Sequence, residues 1–113
     1  MLSAAHRLTD AASFRETTRR GRRASARTLV VHLQTSDVGG PARIGFVVSR
    51  AVGNSVVRNR VQRRLRHAMR AGLSTLPGAS VLVVRALPAA ATASYRELET
   101  DLQRCLDRCV SAA

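Results

Sequence analysis

Apolar residues alternate with polar ones in two segments, with the period of β-strands. Between Arg27 and Thr35, apolar residues occupy every second position at Leu29, Val31 and Leu33. The same alternation returns between Arg43 and Ser49, at Ile44, Phe46 and Val48. The turn-forming residues Asp37–Pro41 lie between them, so we expect the two strands to pair as an antiparallel hairpin. The segment Ser80–Ala86 is almost continuously apolar, which is typical of a strand at the centre of a sheet, and Pro88 ends it.

A short helix is predicted ahead of the first strand. Thr9 or Asp10 can cap it, and Gly21 follows Arg20 at the position where helices commonly end. Between this helix and the first strand, the basic segment Arg22–Ala26 has no apolar period and is expected to be a loop.

Two longer segments have the spacing of amphipathic helices. The first begins at Asn54 or Ser55, either of which is a suitable N-cap, and ends near Gly72 after about five turns. Its apolar side consists of Val57, Val61, Leu65, Ala68 and Met69. The second opens with Ser94–Glu97, a capping box. Its apolar side consists of Leu98, Leu102, Cys105, Leu106 and Cys109.

The chain of 113 residues fits one domain, with the order helix, strand, strand, helix, strand, helix. We expect residues 1–8 and 110–113 to be poorly ordered. No run approaches the ~18 apolar residues of a membrane span, and the first residues lack the apolar core of a secretory signal, so a cytoplasmic location is expected. Cys105 and Cys109 lie one helical turn apart with no histidine at metal-ligand spacing, and we interpret them as reduced thiols that pack a helix.

Charge changes this picture most. The formal net charge is +12, all 19 basic residues other than histidine are arginine, and no acidic residue occurs between Val38 and Arg96. Within that stretch the predicted long helix places Arg60, Arg63, Arg66, His67 and Arg70 roughly opposite its apolar side. Like charges this dense repel one another, so stability alone would favour interleaved acids. The pattern therefore predicts a polyanionic partner.

The preference for arginine over lysine has two open explanations. A guanidinium binds two phosphate oxygens at once and stacks on bases, which suits RNA. A GC-rich genome would favour arginine codons as well, and the sequence leaves both explanations open.

The sequence offers no catalytic constellation. None of its seven carboxylates lies between Val38 and Arg96, where most of the predicted basic surface is. His6, His32 and His67 belong to three different predicted elements. Without a carboxylate pair or histidine cluster that could hold Mg²⁺, we assign no catalytic residue and no metal ligand. Phe46 and Tyr95 are expected in the core.

A longer motif surrounds the start of the basic helix. The chain contains Gly45-Phe-Val-Val-Ser-Arg-Ala-Val-Gly-Asn-Ser-Val-Val-Arg-Asn-Arg-Val-Gln-Arg-Arg-Leu-Arg66. This run closely resembles the signature of the bacterial ribonuclease P protein subunit, with its Arg58-Asn59-Arg60 centre intact. The likeness continues in Arg7-Leu8, Phe14, Arg20-Gly21, Val83–Pro88 and the capped final helix.

The resemblance implies an α+β fold, a two-layer α/β sandwich on a mostly antiparallel sheet, with a left-handed βαβ crossover as in the second domain of a small-subunit ribosomal protein. It implies a subunit of an endoribonuclease in which the ribonuclease P RNA performs the cleavage. That holoenzyme uses Mg²⁺ to remove the 5′ leader of precursor tRNA, and we expect one protein per RNA and no cofactor bound by the protein alone.

The resemblance also implies two binding surfaces. The surface for the catalytic RNA would comprise Arg50, Asn54, Arg58, Asn59, Arg60, Arg63, Arg64, Arg66, His67 and Arg70. A cleft between the first helix and the sheet would hold the leader with Phe14, Arg15, Arg19, Arg27 and His32. Relatives often carry more aromatic residues there, whereas only 3% of this chain is aromatic. We therefore expect leader binding to depend more on the arginines.

Three other functions remain open from charge alone. A ribosomal or general structural RNA-binding protein would share the charge and size, but the Gly53-Asn54 and Arg58-Asn59-Arg60 spacing favours the ribonuclease P family. A stand-alone protein nuclease would cleave without added RNA. A basic helix on an anionic membrane needs bulkier apolar anchors than Val57, Val61 and Ala68.

Overall fold

A computed structural model of the protein describes Leu8 and residues 11–35, 40–73 and 76–111. The predicted caps Thr9 and Asp10, and most of the predicted turn at 37–41, lie outside these residues. The elements in chain order are α1 (Ala11–Arg20), β1 (Arg22–Ser25), β2 (Leu29–Thr35), β3 (Arg43–Val47), α2 (Ser55–Gly72), β4 (Ser80–Ala86), a 3₁₀ turn (Pro88–Ala91) and α3 (Tyr95–Ser111).

The four strands form one mixed sheet in the order β1-β2-β4-β3. β2 pairs antiparallel with β1 and with β4, whereas β3 pairs parallel with β4. With three helices, this is an α+β fold on a mostly antiparallel sheet, and the expected fold class is confirmed. The expected crossover is the unit β3-α2-β4, because a parallel pair needs a long connection.

The predicted hairpin between the segments 27–35 and 43–49 is wrong. β4 lies between β2 and β3, since its nearly continuous apolar sequence can be buried on both faces of the sheet. The strand β3 also ends at Val47 rather than Ser49, and the chain then turns toward α2.

The predicted basic loop after α1 is also wrong, because Arg22–Ser25 forms the edge strand β1. Only Ala24 of its four side chains is buried. A four-residue strand of this kind shows no apolar alternation in sequence, and its charged side chains suit the exposed edge of a sheet.

The two faces of the sheet carry different helices. Alternate residues of β2 and β4 point into the main core beneath α2 and α3; the largest buried side chains there include Leu29, Val31, Leu82, Val84, Leu65, Leu98 and Leu102. On the opposite face, α1 and Leu8 cover Val81 and Val83. The sheet with α2 and α3 gives two layers, and α1 lies on the remaining face.

The predicted ends of the long helices are confirmed. Asn54 caps α2, whose last residue is Gly72, and Ser94 and Glu97 exchange the two hydrogen bonds of a capping box at α3. At the other predicted boundary, the Gly21 amide donates to the Thr17 carbonyl at 2.8 Å and closes α1.

Leu8 and Val110 belong to the ends that we expected to be poorly ordered. Leu8 is buried and its amide donates to the Ile44 carbonyl at 2.9 Å, while Val110 lies within α3. Residues 1–7 and 112–113 are outside the described part of the chain.

Both cysteines are free and buried on the core side of α3. Burial raises the pKa of each thiol above its usual value, so both groups are protonated packing residues at neutral pH. Across the described residues, no helix combines the length and the apolar character needed to cross a membrane.

Candidate RNA-binding surfaces

The turn from β3 into α2 positions the start of the basic helix. The Val52 amide donates to the Ser49 carbonyl, and the Asn54 Oδ1 accepts a hydrogen bond from the Val57 amide at 3.0 Å. Gly53 has a φ of +157°, and a Cβ there would lie 3.0 Å from the Val57 Cβ. Asn54 is exposed, and it uses its side-chain oxygen to begin the helix while its side-chain NH₂ group takes no part in that bond.

Helix α2 presents an outward face made of five exposed side chains: Asn59, Arg63, Arg66, His67 and Arg70. Within the described residues, none of the six arginines of α2 forms an ion pair; the salt bridge found there joins Arg27 to Glu97. The outward face therefore displays unneutralised cations. Arg50, in the turn before the helix, is exposed as well.

A second side of α2 lies along the segment between β4 and α3. Arg60 donates to the Ala91 carbonyl at 2.8 Å and Arg64 donates to the Ala93 carbonyl at 3.2 Å. One turn further on, the rings of His67 and Tyr95 have centroids 5.6 Å apart and planes tilted by 60°. These three contacts join α2 to every second residue from Ala91 to Tyr95, the first residue of α3.

Arg60 therefore differs from the sequence prediction, which grouped it with Arg63 on the side opposite the core. Arg60 is half-buried, because the segment 91–95 lies beside α2 and its carbonyls receive the guanidinium. Arg58, on the other flank, is half-buried too. The Nε atoms of Arg58 and Arg60 are buried and have no hydrogen-bond partner among the described residues.

Two of the four carboxylates of α3 bind residues of the turn between β1 and β2. Asp101 accepts hydrogen bonds from the Thr28 hydroxyl at 2.6 Å and the Thr28 amide at 3.3 Å. Glu97 accepts from the Ser94 amide and from Arg27, and these bonds hold the pKa of its carboxyl below the usual value. Arg27 is consequently held against α3 and is not brought together with Phe14.

On the face of the sheet beneath α1, one row of residues crosses all four strands. The strand register aligns Arg23, His32, Val83 and Gly45 in that order. The Phe14 ring rests directly on Gly45, where a Cβ would lie 2.1 Å from the ring atom Cζ. With strands about 4.8 Å apart, His32 and the Phe14 ring lie roughly 10 Å from one another across the sheet.

Side-chain hydrogen bonds hold α1 over the end of β2. The Thr17 hydroxyl donates to the Gln34 Oε1 at 3.3 Å, and the Gln34 Nε2 donates to the Glu16 carboxylate at 3.4 Å. Arg15 and Arg19 are exposed on the same helix. The helix thus contributes one packed ring and two free cations to the border of this face.

His32 is buried within the row, and its Nδ1 has no partner among the described residues. Burial, and then the charges of Arg23 and Arg85, lower its pKa below 6.5. His32 is therefore neutral at pH 7 and presents an uncharged ring with two arginines nearby.

Arg23 and Arg85 were missed by the sequence analysis. Arg85 alternates with Val81 and Val83 on the face beneath α1, a period that is obscured because β4 is apolar on its other face as well. Arg23 was assigned to a loop, and only the register of β1 places it beside His32.

Comparisons with known proteins agree with this architecture. A sequence model of the family Ribonuclease P matches residues 2–110. The chain is 66% identical over 110 residues to the ribonuclease P protein component of Nocardioides sp., a match that covers 96% of this chain and 94% of that protein. It is 50% identical over 109 residues to the ribonuclease P protein component of Acidothermus cellulolyticus, covering 96% and 91%.

Solved structures show the same fold. The Staphylococcus aureus RNase P protein aligns with a TM-score of 0.81 and 25% identity over 92% of this chain and 94% of that one. The Thermotoga maritima RNase P protein aligns with a TM-score of 0.78 and 22% identity over 90% and 96%, a likeness of fold.

Proposed function

The chain belongs to the bacterial ribonuclease P protein family, and from that premise we propose that it binds the catalytic RNA through α2 and the precursor-tRNA leader through the face beneath α1. In this proposal the RNA cleaves the phosphodiester bond and removes the 5′ leader. The protein holds both RNAs and supplies no catalytic residue.

The observation that carries the proposal is the unneutralised outward face of α2. Asn59 supplies an amide beside the cations Arg63, Arg66 and Arg70, and no acidic residue occurs from Val38 to Arg96. A folded RNA presents phosphates at close intervals, and each contact by an arginine releases a counterion and adds affinity. Arg50, Arg58 and the side-chain NH₂ group of Asn54 extend the same surface toward the start of the helix.

The face beneath α1 supports the second part of the proposal. The neutral His32 ring and the Phe14 ring can meet bases of a single strand, while Arg23 and Arg85 can bind its phosphates. Arg15 and Arg19 on α1 add cations at the border. Arg27, which pairs with Glu97, would reach the leader only where the strand passes the turn between β1 and β2.

The proposal assigns Mg²⁺ to the RNA of the holoenzyme. Among the described carboxylates, Glu97 and Asp101 of α3 are already hydrogen bonded to Ser94, Arg27 and Thr28. Cations along α2 would lower phosphate repulsion and so reduce the Mg²⁺ concentration that the RNA needs. We further propose a cytoplasmic holoenzyme with one protein per RNA.

Reconstitution tests the proposal. The purified chain is mixed with a bacterial ribonuclease P RNA at low Mg²⁺, and 5′ processing of precursor tRNA is measured against RNA alone and protein alone. Processing should require the RNA and should rise when the protein is added. Cleavage by the protein alone, or no gain on its addition, would refute the proposal.

Leader length tests the second surface separately. The affinity of the reconstituted holoenzyme is measured for mature tRNA and for precursors with leaders of one and of eight nucleotides. The protein should increase the preference for the longer precursor over mature tRNA, and most of that increase should be lost with the shorter precursor. Equal preference for both precursors would argue against leader binding while leaving the role of α2 intact.

A further inference from the structure

The outward face of α2 contains a site that charge alone does not explain. An open depression of about 320 Å³ is lined by Asn59, Gln62, Arg63, Arg66 and His67. This volume is at the lower end of the range for small-ligand sites. Its lining combines two amides, two guanidiniums and one aromatic ring, and it contains no carboxylate.

One wall of the depression is supported by a second ring. His67 lines the depression and Tyr95 does not, yet the two rings lie 5.6 Å apart at a tilt of 60°. The imidazole is therefore backed from outside the depression by a residue of α3.

This combination of groups matches an unpaired nucleobase. A base stacks on an aromatic ring, while amide side chains, which both donate and accept, hydrogen bond to its edge. Guanidiniums beside the base can bind the phosphates that flank it. A site for phosphate alone would need neither the supported ring nor two amides.

We propose that the depression on α2 binds one unpaired base of the catalytic RNA, stacked against His67 with Tyr95 behind it and read at its edge by Asn59 and Gln62. The proposal rests on the function proposed above and adds a base-specific contact to it. Gln62 and Tyr95, neither of which the sequence analysis assigned to RNA, become part of the RNA-binding surface.

The fluorescence of Tyr95 can report binding at this site. It contains one tyrosine and no tryptophan, so its tyrosine emission comes from Tyr95 alone. After correction for the ultraviolet absorbance of the nucleic acid, ribonuclease P RNA and a single-stranded oligoribonucleotide should each change this emission, with a Tyr95→Phe variant as the blank. Heparin, a polyanion without bases, should bind and leave the emission unchanged.

Two variants test the contacts by affinity for the same RNA across a range of salt concentrations. His67→Leu should weaken binding about tenfold through lost stacking. Gln62→Met, which keeps the length of the side chain, should weaken it roughly threefold. Because Gln62 carries no charge, the line of log K against log salt for Gln62→Met should stay parallel to that of the unaltered chain.

The results separate this inference from the function on which it rests. If reconstitution succeeds but both variants bind like the unaltered chain, α2 docks through phosphates alone and the base site is wrong. If heparin changes Tyr95 emission as RNA does, the signal does not report a base, which also overturns it. Equal binding of a free mononucleotide would make the depression a small-molecule site and exclude the RNA assignment.

Discussion

Helices α2 and α3 have 18 and 17 residues and pack side by side on one face of the sheet. Their buried sides are alike, with leucines from both in one core. Their polar sides differ: α2 has six arginines and no acid, whereas α3 has four acids and three arginines. In α3, Glu97 and Asp101 bind the turn between β1 and β2, and Arg108 reaches the Ser25 carbonyl.

The difference shows how a strongly basic protein can keep one surface available. On α3, the charges of Glu97, Asp101 and Arg108 attach the helix to β1 and to the turn between β1 and β2, so they serve the fold. On α2 only the flanking Arg60 and Arg64 are used in this way, by the carbonyls of Ala91 and Ala93. The remaining cations repel one another in the free protein, a cost that a polyanion would relieve.

The largest expected effect concerns what the two helices share. Leu65→Ala and Leu102→Ala each remove a buried side chain from the same core, and each should lower the free energy of unfolding by about 2–5 kcal/mol. Urea denaturation followed by circular dichroism measures both, with the exposed change Thr100→Ala as the control. A much smaller loss for one leucine would show that the buried sides are not equivalent.

Removal of charges from α2 should weaken RNA binding more than removal of charges from α3. Arg66→Gln with Arg70→Gln should weaken binding to ribonuclease P RNA about 10–100-fold and reduce the slope of log K against log salt by about 1.4–1.8, as expected for two lost phosphate contacts. The matched double change on α3, Arg96→Gln with Arg104→Gln, should alter neither quantity greatly. Equal losses from both pairs would mean that net charge, and not the outward face of α2, sets the affinity.

Asp101→Ala tests the structural use of charge on α3. It leaves the buried Thr28 amide and hydroxyl without their acceptor, so the free energy of unfolding should fall by about 1–2 kcal/mol. RNA affinity, measured at a temperature where the variant is folded, should not change. A loss of affinity without a loss of stability would contradict the division between the helices.

The smallest expected effect is a pH dependence from a carboxylate, a group that α3 has and α2 lacks. Because the folded state lowers the pKa of Glu97 below 4.5, its stabilising contribution is complete above that pH and is lost as the pH falls through the lowered value. Urea midpoints measured between pH 6 and pH 3 should therefore fall less steeply in Glu97→Gln. Identical slopes would show that the bonds to Ser94 and Arg27 do not favour the charged carboxylate.

Local signals in the sequence were sufficient for α2 and α3. Each helix combines a long apolar period with a cap, Asn54 in one and the Ser94–Glu97 box in the other, and these signals involve residues only a few positions apart. Strand pairing is not local. Alternation identified β2 and β3 as strands, but nothing within either one says that β4 lies between them.

The candidate site likewise has features that local sequence predicts and features that depend on tertiary packing. The acid-free basic helix is visible in sequence, and so is the exposure of Arg63, Arg66 and Arg70. The burial of Arg60 depends on the segment 91–95, which tertiary packing brings beside α2. The row beneath α1 depends on the register of three strand pairs, which no single segment encodes.

The contact between Phe14 and Gly45 sets the distance between α1 and the sheet. The ring touches bare backbone, so the depth at which the helix sits is set by one absent methyl group. Adding it with Gly45→Ala would force the ring outward and widen the gap over Val83, without touching α2. A change at this one position would therefore alter the space between α1 and the sheet and leave the outward face of α2 as it is.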